Sequence, residues 1–112
     1  MAPPGAGMAG MAGMGALALS RRLVLTYQGR TYDVEKEHFI IGRSKGQADL
    51  RLDDPNVSRQ HAAIERIGSI YYLVDLGSTN GVFVGDDKIT RRALVDGDTI
   101  VITTHHIACA LR

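Results

Sequence analysis

Short apolar runs separated by turn residues occupy most of the chain, with the alternation of β-strands rather than the spacing of an amphipathic helix. The first run, residues 23–27, is rich in β-branched and aromatic side chains. Gln28-Gly29 follows it and predicts a tight turn into a return strand at 30–34. Residues 99–103 and 107–111 predict another hairpin near the end of the chain.

More strands are predicted between the two hairpins. Asp53-Asp54-Pro55-Asn56 predicts a turn, residues 57–61 predict a bend or one helical turn, and residues 91–94 predict a connection without a strand. The predicted internal strands are 38–41, 48–52, 62–66, 70–76, 82–84 and 88–89. About ten strands without a major helix indicate an all-β sandwich or barrel.

The start of the chain has a different composition, dominated by Met, Ala, Gly and Pro. Glycine interrupts the apolar residues repeatedly, and Arg21 and Arg22 follow the apolar stretch instead of preceding it. This pattern does not predict a signal peptide, and no run is long enough for a membrane span. We expect a flexible leader at 1–21 and a folded domain at 22–112.

Length, charge and cysteine content narrow the class of protein. A chain of 112 residues is long enough for one small domain. Its formal net charge is only +1, so the chain lacks the large excess of basic residues expected of a nucleic-acid-binding protein. Cys109 is the single cysteine, so no intrachain disulfide can form, and we expect it to be a buried residue of a cytoplasmic, intracellular protein.

The titratable residues do not predict a metal site or a catalytic centre. His105 and His106 are adjacent, so on a strand they face opposite sides and cannot hold one metal ion together. The acidic pairs Asp53-Asp54 and Asp86-Asp87 lie in predicted turns, where solvated carboxylates are the ordinary case. No nucleophile–base pair accompanies them, so we expect no metal, no cofactor and no enzymatic activity.

Three short polar stretches stand between apolar runs: Gly42-Arg43-Ser44, residues 57–62, and residues 77–82. Each alone is compatible with an ordinary loop. Together they supply two arginines, several small hydroxyls and an amide. Arginine offers a planar fork of donors, and hydroxyls complete an oxygen shell, so this set suits the capture of a phosphate group on a peptide.

With these motifs in this order, the chain from about residue 23 to 111 resembles the forkhead-associated (FHA) domain family. The resemblance rests on Gly42-Arg43, on Ser58-Arg59-Gln60-His61, and on residues 75–84. Residues 48–54 and 94–98 support it. The resemblance implies a two-sheet β-sandwich of about 10–11 short, mostly antiparallel strands, whose loops at one end bind phosphothreonine peptides.

The resemblance also implies roles for single residues. Arg43 would contact the phosphate, Ser58 would donate its hydroxyl to another phosphate oxygen, and Arg59 would add a basic contact. Thr79 would add a hydrogen bond, and Asn80 would hold the peptide backbone. The residues expected to support the site without contacting the peptide are Gly42, His61 and Gly81.

Three functions remain as hypotheses. The first is a non-catalytic module that binds a phosphothreonine-containing substrate of a Ser/Thr kinase in signalling, with neither nucleic acid nor membrane as partner. The second is a structural or oligomerisation module of the same fold that uses a sheet face or edge. The third, a small hydrolase, lacks the necessary residues. The sequence leaves the oligomeric state open.

Overall fold

The computed structural model describes residues 21–112, and in this part the chain forms eleven strands and no helix. The strands are β1 (Leu23–Tyr27), β2 (Arg30–Asp33), β3 (His38–Gly42), β4 (Leu50–Arg51), β5 (Ala62–Ile67), β6 (Ile70–Asp75), β7 (Val82–Val84), β8 (Asp87–Ile89), β9 (Arg91–Ala93), β10 (Thr99–Ile102) and β11 (His105–Leu111). The leader predicted at 1–21 lies outside the described residues except for Arg21. No helix in the described part is long and apolar enough to cross a membrane.

The strands form two sheets that enclose one core. The five-stranded sheet has the order β9-β6-β5-β3-β4, and the six-stranded sheet has the order β2-β1-β11-β10-β7-β8. Only β3 and β4 pair in parallel, and the other strand pairs of the described region are antiparallel. The predicted fold class, a two-sheet sandwich of short and mostly antiparallel strands, is confirmed.

The first and last strands of the described region pair with each other. Leu23 lies opposite Leu111 in the β1–β11 ladder. Just beyond the ladder, the N–H of Arg22 donates to the carbonyl of Arg112 at 2.7 Å, and the N–H of Arg112 donates back at 2.8 Å. The two terminal runs therefore lie side by side, and their pairing joins the ends of the domain.

Alternation along the strands places one face of each sheet in the core. Leu23 and Leu25 of β1, Ile41 of β3 and Leu73 of β6 are fully buried and belong to one apolar cluster. Cys109 joins this cluster, as predicted, and burial raises the pKa of its thiol to about 12. His61 is fully buried as well, and it is the one buried polar residue of the described region.

The hairpin turn at Gln28-Gly29 forms as predicted. Gln28 has a φ of 51° and Gly29 a φ of 76°. Two successive positive φ values characterise the turn whose twist matches that of the flanking strands. Tyr27 and Arg30 pair directly across it, so a local sequence signal is sufficient to set the register of β1 and β2.

Two predicted elements differ from the structure. Residues 91–94 were expected to be a connection, but Arg91–Ala93 forms β9, an edge strand on β6, and the Arg91 guanidinium lies 3.9 Å from the Tyr72 ring centre. The polar composition of β9 does not indicate a strand. An edge strand pairs with only one neighbour and can form with little apolar surface. The strand expected at 48–52 is reduced to the two residues of β4.

Candidate functional site

The strand register brings three loops to one end of the sandwich. In the antiparallel ladders, Ile41 near the end of β3 lies opposite Ala62 at the start of β5, and Ala62 lies opposite Asp75 at the end of β6. The loop after β3, the loop before β5 and the loop after β6 must therefore meet. The three polar stretches singled out in the sequence lie in or border these loops.

The end of β3 packs closely against the loop before β5, and Gly42 permits this approach. A Cβ at residue 42 would collide with the carbonyl oxygen of Arg59 and would lie only 3.0 Å from the backbone nitrogen of His61. Beyond this point, the N–H of Arg43 donates to the carbonyl of Ser58 at 3.0 Å, and the N–H of Ser44 donates to the carbonyl of Arg59 at 3.1 Å. The two loops are joined backbone to backbone.

His61 connects the loop before β5 with the loop after β6. The N–H of Ser58 donates to His61 Nδ1 at 3.0 Å, so the ring proton resides on Nε2, which donates to the carbonyl of Gly81 at 2.8 Å. The backbone of His61 adds a further link, because its carbonyl accepts from the N–H of Leu76 at 3.1 Å. One buried imidazole therefore sets the separation of two loops.

Short-range hydrogen bonds shape the loop after β6. Asp75 Oδ1 accepts from the N–H of Ser78 at 2.8 Å, and Ser78 Oγ accepts from the N–H of Gly81 at 3.0 Å. Gly81 has a φ of 85°, a conformation that side chains disfavour. The N–H of Thr79 lies 3.4 Å from Ser58 Oγ, which places these two residues side by side.

Asn80 ties the same loop to the turn before Ser58. Its Nδ2 donates to the carbonyl of Asn56 at 2.7 Å. The N–H of Asn56 in turn donates to Asp54 Oδ1 at 2.8 Å. The amide of Asn80 is consequently held in place before any ligand arrives.

An open cleft of about 500 Å³ lies where the three loops meet. It brings together all five residues expected to bind a phosphopeptide, and the other lining residues belong to the turn before Ser58. The lining residues are Arg43, Pro55, Asn56, Val57, Ser58, Arg59, Thr79 and Asn80. This set contains two cations and no carboxylate, so the cleft favours an anion.

Arg43 is oriented by the wall of the cleft. Its Nε donates to the carbonyl of Val57 at 2.9 Å. Neither Arg43 nor Arg59 forms an ion pair with an acidic group anywhere in residues 21–112. The terminal guanidinium nitrogens of Arg43 therefore remain as donors for a ligand.

A hydrogen-bonded network that was not predicted from the sequence reaches the cleft residue Asn56 through Asp54. The hydroxyl of Tyr27 lies 2.6 Å from His105 Nδ1, and His105 Nε2 donates to Asp54 Oδ2 at 2.8 Å. The prediction that Asp54 is a solvated turn residue is wrong, because only 17% of its side chain is exposed. The N–H of Asn56 and the imidazole of His105 hold the pKa of the Asp54 carboxyl below its usual value.

No local sequence pattern predicts this hydrogen-bonded network, because its three residues come from distant segments of the chain. Asp54 lies in a turn, Tyr27 on β1 and His105 on β11. The nearby positive φ of Thr103, 53°, is also invisible in the sequence. Within the described residues, no group of three or more His, Cys, Asp and Glu side chains is arranged to hold a metal ion.

Comparison with known proteins identifies the family to which this architecture belongs. The sequence model of the FHA domain family matches residues 39–103, which include all three loops. This chain belongs to the FHA domain family. The match covers more than half of the chain and includes each of the five residues at the cleft.

Curated and solved FHA proteins agree with this assignment. The chain is 43% identical over 72 residues to the FHA domain-containing protein FhaA of Mycobacterium tuberculosis, covering 64% of this chain and 14% of FhaA. A structure from a study of phosphothreonine-dependent FHA domain interactions has a TM-score of 0.77 at 35% identity, covering 81% of this chain and 97% of that chain. M. tuberculosis EmbR, solved in complex with a low-affinity phosphopeptide, has a TM-score of 0.75 at 37% identity, covering 80% of this chain and 24% of EmbR.

Proposed function

We propose that this FHA domain binds a phosphothreonine-containing segment of a partner protein, a substrate of a Ser/Thr kinase, in phosphorylation-dependent signalling. The observation that carries the proposal is the convergence of Arg43, Ser58, Arg59, Thr79 and Asn80 on one cleft without a carboxylate. A phosphothreonine carries about −1.5 to −2 charges near pH 7 and three acceptor oxygens, and the cleft supplies donors of the matching kind.

Each residue has a role in this proposal. Arg43 and Arg59 supply charge-assisted donors to the phosphate, and Arg43 is already oriented by Val57. The hydroxyl of Ser58 donates to a second phosphate oxygen, and Thr79 beside it adds a third donor. Asn80 holds the peptide backbone. Gly42, His61 and Gly81 support the loops and do not touch the ligand.

The similar proteins support this assignment of function. One solved relative comes from work on phosphothreonine-dependent FHA domain interactions, and EmbR was solved with a phosphopeptide bound. Because the chain spans 14% of FhaA and 24% of EmbR, the likeness concerns the domain and not those whole proteins. We extend only phosphopeptide binding to this chain.

The energetics favour moderate affinity. Each hydrogen bond to a charged phosphate oxygen contributes roughly 1.5–3 kcal/mol, and the cost of ordering a flexible peptide offsets part of the sum. Affinity in the micromolar range or somewhat tighter follows. We also propose that the module is non-catalytic and intracellular, and that residues 22–112 form the FHA β-sandwich domain while residues 1–21 lie outside it.

A titration with matched peptides tests the proposal. A phosphopeptide selected from a degenerate phosphothreonine library would be compared with its unphosphorylated, phosphoserine and Asp-substituted versions by calorimetry. We expect the phosphothreonine peptide to bind best and the unphosphorylated peptide not to bind measurably. Equal affinity of the phosphorylated and unphosphorylated peptides would contradict the proposal.

A further inference from the structure

A continuous path of hydrogen bonds connects the six-stranded sheet with the side chain that is proposed to hold the peptide backbone. It runs from Tyr27 on β1 to His105 on β11 and on to Asp54, with separations of 2.6 Å and 2.8 Å. The N–H of Asn56 donates to the other carboxylate oxygen of Asp54 at 2.8 Å, and Asn80 Nδ2 donates to the carbonyl of Asn56 at 2.7 Å. Together these five residues form the Asp54 network.

The inner part of the network is anchored in the fold. Tyr27 packs against the apolar core, and its ring centre lies 5.8 Å from that of His105. The side chains of His105 and Asp54 are only 16% and 17% exposed. Because β1 and β11 pair directly in the six-stranded sheet, this anchor does not depend on the loops of the cleft.

The outer part of the network lies at the cleft. Asn56 and Asn80 are exposed, and both line the cleft. The N–H of Asn56 donates to a side chain two residues before it, which is the arrangement of an Asx turn. The N–H of Val57 donates to the carbonyl of Asp54 at 3.0 Å and closes the same turn. Asp54 therefore determines where the carbonyl of Asn56 points.

That carbonyl determines how the amide of Asn80 is oriented. A carbonyl oxygen only accepts hydrogen bonds, so the Asn56 carbonyl selects the NH₂ side of the amide. The second N–H of Nδ2 and the oxygen Oδ1 are then directed elsewhere. A peptide backbone offers one carbonyl and one N–H per residue, and these are the partners that the two remaining groups require. An amide rotated by 180° would lose its bond to Asn56.

We propose that Asp54 is a positioning residue for phosphopeptide binding. It sets the carbonyl of Asn56, and this carbonyl orients the amide of Asn80. This inference rests on the proposed function and extends it to residues that do not line the cleft. A side chain that is ordered before the ligand arrives loses less conformational entropy on binding, so the Asp54 network raises affinity without touching the peptide. Because Asn80 holds the peptide backbone, the gain does not depend on the residues that flank the phosphothreonine.

A double-mutant cycle tests this inference. The Kd of a phosphothreonine peptide with neutral flanks is measured for the native chain, Asp54→Ala, Asn80→Ala and the double variant, by calorimetry or, where binding is weak, by NMR titration. We expect Asp54→Ala to weaken binding by about three- to tenfold, which corresponds to ordering one polar side chain on binding. In the Asn80→Ala background the same replacement should change the Kd by less than about twofold, because Asp54 acts through Asn80.

Asp53→Ala is the matched control, because it removes the neighbouring carboxylate, which is 80% exposed. It should leave the Kd within about twofold of the native value. His105→Phe is a second variant that keeps a ring of similar size and removes the bond to Asp54, and it should weaken binding only while Asn80 is present. In the ligand-free protein, the NMR signals of the Asn80 side-chain amide should shift in both network variants and not in Asp53→Ala.

Additive effects of Asp54→Ala and Asn80→Ala would show that Asp54 acts elsewhere. Unchanged affinity in folded Asp54→Ala or in folded His105→Phe would show that the network does not position the amide. Either result overturns this inference alone, provided that the native chain still binds the phosphorylated peptide better than the unphosphorylated one. If phosphorylation brings no gain in affinity, the proposed function fails and this inference fails with it.

Discussion

His61 Nε2 lies 2.8 Å from the carbonyl oxygen of Gly81, and this contact links two loops that are 20 residues apart in sequence. The opposite edge of the same ring accepts from the N–H of Ser58. The imidazole therefore holds the proposed phosphate-binding serine at a fixed distance from the loop that presents Thr79 and Asn80. Its full burial keeps water from replacing either hydrogen bond.

Replacing His61 with Ala should lower the free energy of unfolding by about 2–4 kcal/mol, because it opens a cavity and leaves the buried carbonyl of Gly81 and the half-buried N–H of Ser58 without their partner. Urea denaturation measures this loss. His106→Ala is the matched control on an exposed histidine and should change stability by less than about 0.5 kcal/mol. Equal stabilities of the two variants would show that His61 is not a brace.

Replacing Arg43 with Ala should weaken phosphothreonine-peptide binding by at least about tenfold, since one or two charge-assisted hydrogen bonds are lost. Arg43→Lys keeps the charge but loses the planar fork and should recover only part of the affinity. Calorimetric titration measures both variants, and thermal melts establish that each is folded. Unchanged affinity in folded Arg43→Ala would exclude Arg43 from the site.

Replacing Gly42 with Ala should destabilise the domain by about 1–3 kcal/mol, because the new methyl group forces β3 away from the Arg59 carbonyl. Gly46→Ala is the matched control: a Cβ at residue 46 meets no atom within 4 Å. That variant should be neutral or slightly stabilising. Denaturation midpoints of the two variants measure the difference, and a Gly42→Ala protein as stable as Gly46→Ala would contradict the proposed close contact.

The stability of the domain should depend on pH through the carboxyl group of Asp54. The N–H of Asn56 and His105 lower the pKa of its carboxyl in the folded state. A carboxyl group whose pKa is lowered in the folded state stabilises the protein at pH values above its ordinary pKa. This stabilisation is lost as the pH falls through the lowered pKa. Asp54→Asn should therefore be less stable than the native protein at pH 7, and the difference should shrink as the pH falls through the acid range.

Urea denaturation at a series of pH values measures this effect, with Asp53→Asn as the control because Asp53 is 80% exposed. The native and Asp53→Asn curves should run nearly parallel. A constant difference between the native protein and Asp54→Asn across the acid range would show that the bonds to Asn56 and His105 do not favour the ionised carboxylate.

The sequence alone was sufficient for features that depend on neighbouring residues. Gln28-Gly29 predicts its hairpin because the turn conformation is a local property of two residues. The apolar runs predict most strands and the burial of Cys109 because alternation shows which face is in the core. The motifs around Arg43, Ser58 and Asn80 indicate the family, which the FHA domain match confirms.

Only the tertiary structure decides what depends on strand register and on packing between distant segments. It places Arg43, Ser58 and Thr79 on one cleft, pairs β9 with β6, and joins Asp54 to His105 across 51 residues. The parallel pairing that brings β4 next to β3 is decided in the same way. Hydrogen bonds across a sheet join residues with no local relationship, so nothing in the composition of a single loop reveals which other loop it will meet.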